Sequence, residues 1–204
     1  MPLLDQRLVG VVILLVLALL VVVKKRATGS TVDLPAGDPL LKTVNVFNLL
    51  FLLVLSPLAA AALITRTAAT LDPTHLVIDS PRLASAVQVS GLLLYVSGYA
   101  LMAWALVVLG RQYQPGGADP HAGDHIVIEG PYRIVRHPMY AAALLGALGL
   151  SLVMPSWMFF GLFWLYLALI LAVIRREEEG LRRAFGVRYT EYQARVRALV
   201  PFLY

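Results

Sequence analysis

The sequence contains one run, Pro138 to Ile174, in which 37 consecutive residues carry no charge. A single helix of that length would be about 55 Å long, whereas the hydrocarbon core of a bilayer is about 30 Å thick. If the run is helical, it must therefore fold back on itself. Pro155 and Ser156 mark the turn. The sequence predicts an antiparallel helical hairpin formed by residues 138–153 and 156–174.

The composition of the chain places this hairpin in a membrane. Of the 204 residues, 59% are hydrophobic and 14% are charged, whereas about a quarter of the residues of a soluble protein are charged. We therefore expect an all-α polytopic membrane protein whose partner is the lipid bilayer. The absence of cysteine excludes disulfides and thiolate chemistry. The net charge of +5 does not indicate nucleic-acid binding, because the basic residues flank apolar runs. Nothing in the sequence indicates a protein partner.

Three further apolar runs precede the hairpin, at Leu8–Val23, Val44–Ile64 and Leu83–Gly110. Together with the hairpin they predict five transmembrane helices. The first run could instead be a signal sequence, but the basic cluster that follows it favours a membrane span. We divide the chain into residues 1–82, with two spans, and residues 83–204, which hold the third span, the polar segments and the hairpin.

The second span contains polar residues and a proline. Pro57 removes a backbone donor and predicts a kink. Asn45 and Asn48 are interpreted as hydrogen-bonding partners between helices, with a ligand role as the less favoured alternative.

The last 30 residues are basic and amphipathic. Five apolar or aromatic residues recur at spacings of three and four, which places them on one helical face: Leu181, Phe185, Tyr189, Tyr192 and Val196. Gly186 is the expected break in this helix. The pattern predicts a helix that lies on the membrane surface or caps the helical bundle.

The basic residues are distributed unevenly between the two sides of the predicted bundle. With five spans, segments 24–42, 111–137 and 175–204 fall on one side and hold 14 of the 17 lysines and arginines. The positive-inside rule then predicts an N-terminus outside, with the C-terminus in the cytoplasm.

A hairpin that enters and leaves the membrane at the same face brings its two ends together. His137 precedes the first residue of the hairpin and Arg175 follows the last. Both are therefore expected at the cytoplasmic interface, within about 8–10 Å of each other. The polar segment 124–140 should lie beside the charged residues 175–179. The sequence thus predicts one site built from two distant segments.

The residues of this junction leave alternatives open. Pro138 predicts a helix start whose free N–H groups favour an anion. Arg133 and Arg136 are equally suited to a carboxylate or phosphate ligand and to lipid headgroups. His125 and His137 lack a third ligand and the usual two-histidine helical spacing, so no metal site is predicted.

The motif Gly-Pro-Tyr-Arg-Ile-Val-Arg-His-Pro-Met-Tyr at 130–140 resembles the core motif of the isoprenylcysteine carboxyl methyltransferase family and its phospholipid methyltransferase relatives. The C-terminal part is also similar to theirs, with Glu177-Glu178, Leu181, Phe185-Gly186, Tyr189, Tyr192, Val196 and Val200-Pro201. The two blocks cover roughly the last 80 residues and are joined by the hairpin.

The resemblance implies an integral membrane methyltransferase that uses S-adenosyl-L-methionine, releases S-adenosyl-L-homocysteine and acts on a lipophilic acceptor. Carried over by motif, the cofactor-binding residues are Gln114 (or Gln112), Asp124, His125, Ile126, Val127, Tyr132, His137, Pro138, Met139, Tyr140 and Glu177. The candidate catalytic residues are Arg136, Arg175, Arg176 and Glu178. Methyl transfer is an in-line displacement, so the expected contribution of the protein is positioning and a preorganised electrostatic field.

Two positions depart from the family pattern. Asp124 stands where the family often has a histidine. Val173 stands where relatives that act on prenylcysteine carry an arginine, which weakens the case for a prenylcysteine acceptor. Two other classes are kept as alternatives: an NADPH-dependent membrane reductase related to sterol reductases, and a non-enzymatic scaffold. The reductases would be larger, and a scaffold leaves the polar junction unexplained.

Overall fold

A computed structural model describes residues 5–32, 38–113 and 125–200. Five helices form a bundle: α1 (Gln6–Thr28), α2 (Pro39–Thr65), α3 (Pro81–Leu109), α4 (Pro138–Val153) and α5 (Trp157–Phe185). A shorter helix, α6 (Val187–Arg195), follows. Helices α1, α2, α3 and α5 are long and apolar enough to cross a membrane, whereas α4 has 16 residues. The all-α polytopic class is confirmed, and the orientation in the membrane stays a prediction.

The irregularity predicted at Pro57 is a π-helical segment, Phe51–Leu55, directly before Ser56 within α2. Proline lacks a backbone N–H, and its ring clashes with the carbonyl four residues earlier in a regular α-helix. A wider turn at this point accommodates the ring, so α2 continues past the proline instead of ending there.

Helices α3 and α4 approach each other backbone to backbone. A Cβ atom built on Gly149 of α4 would lie 2.4 Å from the Tyr95 nitrogen of α3. A Cβ atom on Gly98 of α3 would lie 2.8 Å from the carbonyl oxygen of Ala142. Because only glycine fits at such contacts, α4 is held firmly against α3. This packing fixes the start of α4, where the polar motif ends.

The predicted hairpin is confirmed, and its closed end lies at Pro155 and Ser156. The Ser156 hydroxyl accepts from the Met158 amide at 3.2 Å and so caps α5. The loop between α2 and α3 covers this turn. Leu76 N donates to Pro155 O at 2.9 Å, and the hydroxyls of Thr74 and Ser156 are 2.8 Å apart.

Helix α5 is longer than the predicted 156–174, because it continues through the charged residues to Phe185. Arginine and glutamate are good helix formers, so nothing stops the helix before Gly186. The break predicted at Gly186 is confirmed, with a φ of 55° that favours glycine. The stripe from Leu181 to Val196 is therefore not one helical face. Leu181 and Phe185 lie near the end of α5, whereas Tyr189 and Tyr192 belong to α6.

Candidate functional site

The polar motif is pinned by the segment that follows α6. Arg136 N donates to Arg197 O at 2.7 Å, and His137 N donates to Ala198 O at 3.0 Å. Val135 and Arg197 form a parallel β-bridge. These bonds occupy the Arg136 and His137 amides just before α4, so neither is available to an anion. They also set the backbone positions of the two side chains that meet α5.

A network of charged and polar groups joins the motif to α5 through Glu178. Arg136 Nε donates to Glu178 Oε1 at 2.8 Å, and Gln193 Nε2 donates to Glu178 Oε2 at 3.0 Å. Arg136 also donates to the carbonyl oxygen of Val196. The side chains of Arg136 and Glu178 are only 11% and 10% exposed. This pair joins the two ends of the hairpin, because separating them would leave a buried charge without its partner.

His137 lies between two carboxylates. Its Nε2 is 3.2 Å from Glu178 Oε1, and its Nδ1 is 3.5 Å from Glu177 Oε2. Burial of the imidazole opposes its charge, but the carboxylates of Glu177 and Glu178 outweigh burial and raise the pKa of His137 above 6.5. Tyr140 OH donates to Glu177 Oε1 at 2.8 Å. His137 thus faces both acids, and Glu177 is positioned between His137 and Tyr140.

The raised pKa of His137 predicts a pH-dependent contribution to stability. The charged imidazole stabilises the folded state below its unfolded pKa of about 6.5, and this contribution is lost as pH rises through the higher folded value. We expect the difference in melting temperature between wild type and His137→Gln to shrink from about pH 6 to about pH 9. Thermal melts in detergent measure it. A difference that grows with pH would contradict a charged His137.

These groups lie on the wall of a cavity of about 650 Å³, within the range of small-molecule sites. Its walls come from the start of α2, the end of α3, the segment before α4, the start of α4, the end of α5 and α6. Eleven of the predicted residues line it: His125, Ile126, Val127, Tyr132, Arg136, His137, Pro138, Met139, Tyr140, Arg176 and Glu177.

The remaining predicted residues lie elsewhere. Gln114 and Asp124 fall outside the described residues. Gln112, the alternative to Gln114, lines the cavity, and its amide nitrogen is 3.1 Å from His125 Nε2. Arg175 and Glu178 are not among the described residues that line the cavity. Arg175 is exposed, whereas Glu178 is buried behind the wall.

The two other predicted catalytic residues line the cavity but make ion pairs within the protein. The guanidinium of Arg136 is engaged by Glu178. Arg176 Nε lies 2.7 Å from Asp38 Oδ2, which connects α5 to the cap of α2. Both guanidinium groups are therefore engaged by carboxylates of the protein.

In the sequence analysis a contribution of α2 to the site was only the less favoured alternative, a ligand role for Asn45 and Asn48. The α2 wall consists of four residues at spacings of three, four and three, which put them on one helical face: Asp38, Leu41, Asn45 and Asn48. The interpretation of Asn48 as a link between helices is confirmed, because Tyr166 OH donates to Asn48 Oδ1. Asn45 Nδ2 is buried and has no hydrogen-bond partner in the described part of the chain. The spacing of three, four and three residues at the start of α2 was the sequence signal that could have indicated this wall.

Comparisons with known proteins relate this chain to one protein family and to several curated proteins. Residues 86–188, half of the chain, match the phospholipid methyltransferase family. Protein-S-isoprenylcysteine O-methyltransferase B of Arabidopsis thaliana is 30% identical over 118 residues, which cover 55% of this chain and 58% of that protein. Cobalt-zinc-cadmium resistance protein CzcN of Cupriavidus metallidurans is 35% identical over 100 residues, 48% of this chain and 46% of CzcN. The chain thus spans about half the length of these curated relatives.

Proposed function

We propose that this chain, which belongs to the phospholipid methyltransferase family, transfers a methyl group from S-adenosylmethionine to a lipophilic acceptor. The supporting observation is the meeting of His137, Tyr140 and Glu177 on one cavity wall, although Glu177 follows Tyr140 by 37 positions along the chain. When bound, S-adenosylmethionine supplies an electrophilic methyl group on a sulfonium sulfur.

The residues that line the cavity fit the polar and aromatic parts of this cofactor. The Glu177 carboxylate, oriented by Tyr140 and His137, suits an ammonium group or ribose hydroxyls. Tyr132 offers an aromatic surface, and the Gln112 amide offers donors and an acceptor. The volume of about 650 Å³ accommodates a ligand of this size together with part of an acceptor.

We assign the charged residues of the junction to positioning rather than to bond making. Arg136 and Glu178 hold the motif against α5, and Arg176 pairs with Asp38 at the start of α2. His137, flanked by two carboxylates, acts as a hydrogen-bond donor and not as a base. The chemical contribution of the protein is then the alignment of the methyl donor with the acceptor.

The α2 wall is the proposed acceptor side of the cavity. Leu41 offers an apolar surface, and the unpaired amide of Asn45 offers a donor to a polar acceptor atom. Val173 is fully buried in a hydrophobic cluster. It therefore cannot play the part of the arginine that binds a carboxylate in prenylcysteine-specific relatives. We propose a lipophilic acceptor with a hydrogen-bonding head group.

A methyl-transfer assay tests the proposal. Detergent-purified protein is incubated with S-adenosylmethionine carrying a tritiated methyl group and with phosphatidylethanolamine, farnesylcysteine or a long-chain thiol. We expect label in an organic-soluble product, and Glu177→Ala should reduce the rate about tenfold, equivalent to about 1.4 kcal/mol. Glu179→Ala, an exposed neighbour, is the matched control. Equal rates in both variants, or label recovered only in water-soluble products, would overturn the proposal.

A further inference from the structure

A second depression, the basic groove, lies beside the cavity and has a volume of about 700 Å³. One wall is the segment before α4 and the other is the end of α5 with α6. The groove is lined by His125, Ile126, Ile128, Arg133, Phe185, Arg188, Glu191, Tyr192, Arg195 and Val196. Four of these residues, His125, Ile126, Phe185 and Tyr192, also line the cavity. The two depressions therefore share a wall.

The groove concentrates positive charge in three arginines, Arg133, Arg188 and Arg195. Arg188 and Arg195 lie seven residues apart on α6, which is two helical turns along one face, and Arg133 comes from the opposite wall. Across the described ranges, none of these three arginines forms an ion pair. Glu191 is the single carboxylate among the lining residues that the structure describes. Three guanidinium groups facing one carboxylate are complementary to an anion such as a phosphate.

Exposed apolar side chains beside these arginines indicate which kind of phosphate compound binds. Ile128, on the groove wall, is 53% exposed, and Val187, next to Arg188, is 73% exposed. A water-soluble phosphate ester would gain nothing from such residues. Arginines combined with exposed aliphatic residues are typical of protein surfaces at the boundary between lipid headgroups and acyl chains.

The position of the groove agrees with this environment. It lies at the open end of the hairpin, where α4 begins and α5 extends beyond its apolar part. The chain therefore leaves the apolar layer here, and lipid phosphates are expected at the same level.

We propose that the basic groove binds the headgroup of an anionic phospholipid, with Arg133 on one side of the phosphate and Arg188 and Arg195 on the other. This site is separate from methyl transfer and does not depend on it. A bound lipid would join the segment before α4 to α6. Because both walls also border the cavity, the lipid would stabilise the open end of the hairpin.

Native mass spectrometry of protein from nanodiscs tests this site. The discs contain either phosphatidylcholine alone or phosphatidylcholine with about 30% phosphatidylglycerol. We expect the wild-type protein to retain phosphatidylglycerol, and each arginine removed in R133Q/R188Q/R195Q should weaken retention by about fivefold. The control K25Q/R26Q/K42Q removes the same charge from the same predicted side and should retain the lipid. The double variant R188Q/R195Q serves if the triple variant does not fold.

Two results would overturn the proposal. Equal loss of phosphatidylglycerol in both triple variants would show that general surface charge, and not the groove, attracts the lipid. Inorganic phosphate that raises the melting temperature of the wild type in phosphatidylcholine discs as much as phosphatidylglycerol does would show a site for soluble anions. The result in either case leaves the proposed methyl transfer untouched, since no methyl donor is present.

Discussion

Replacing Glu178 with alanine is expected to lower the free energy of unfolding by about 3–5 kcal/mol. The variant leaves the buried guanidinium of Arg136 without its carboxylate and removes the acceptor of Gln193 Nε2. It also removes one of the two acids that stabilise the charge on His137. For a chain of about this size the loss corresponds to roughly 10 °C in melting temperature. Thermal denaturation in detergent measures it.

Two further variants separate a lost ion pair from lost packing. Glu179→Ala removes the exposed neighbouring carboxylate and should leave the melting temperature unchanged. The double variant Arg136→Met with Glu178→Leu should recover much of the stability, because no buried charge is then left without a partner. If Glu178→Ala were as stable as Glu179→Ala, the network would not hold the hairpin together.

Replacing Gly149 with alanine is expected to cost about 3 kcal/mol or more. Its added Cβ would lie 2.4 Å from the Tyr95 nitrogen and 2.7 Å from the Gly91 carbonyl oxygen. These are backbone atoms of α3, so the two helices must move apart. Because α4 carries His137 and Tyr140 at its start, the separation should also disturb the cavity. Thermal denaturation and ligand binding, measured on the same sample, report both effects.

Gly161→Ala provides the matched control within the same bundle. A Cβ at Gly161 has no heavy atom within 4 Å among the described residues. Alanine favours helix over glycine by about 1 kcal/mol, so this variant should be as stable as the wild type or slightly more stable. A Gly149→Ala variant that matched Gly161→Ala would show that α3 and α4 do not depend on this close approach.

The parts of the fold that the sequence predicts are those governed by length and local pattern. A charge-free helical run of 37 residues is longer than one membrane crossing, so the run must fold back. The fold-back brings His137 beside α5. Gly186 and Pro57 mark irregularities because their backbone chemistry acts locally. The position of the candidate site could also be predicted, because the fold-back brings the two ends of the hairpin together.

The parts that escape sequence analysis depend on contacts between distant segments. Nothing local indicates that Arg136 and His137 pair with the backbone of Arg197 and Ala198. The role of Arg136 depends on Glu178, and a pattern alone cannot distinguish a ligand-binding arginine from a positioning one. A ligand role for the α2 asparagines was the less favoured interpretation because asparagines in an apolar helix serve helix packing as readily as they line a cavity. Asn48 in fact lines the cavity and also accepts a hydrogen bond from Tyr166.

Isothermal titration calorimetry on detergent-purified protein tests the central claim that this cavity binds the methyl donor. S-adenosylhomocysteine, the product form of the cofactor, is titrated in parallel with NADPH, the cofactor expected for a membrane reductase. The proposal predicts saturable binding of S-adenosylhomocysteine at one site per chain, weakened about tenfold by Glu177→Ala and unchanged by Glu179→Ala. Binding of NADPH instead, or no binding of either ligand by folded protein, would contradict it.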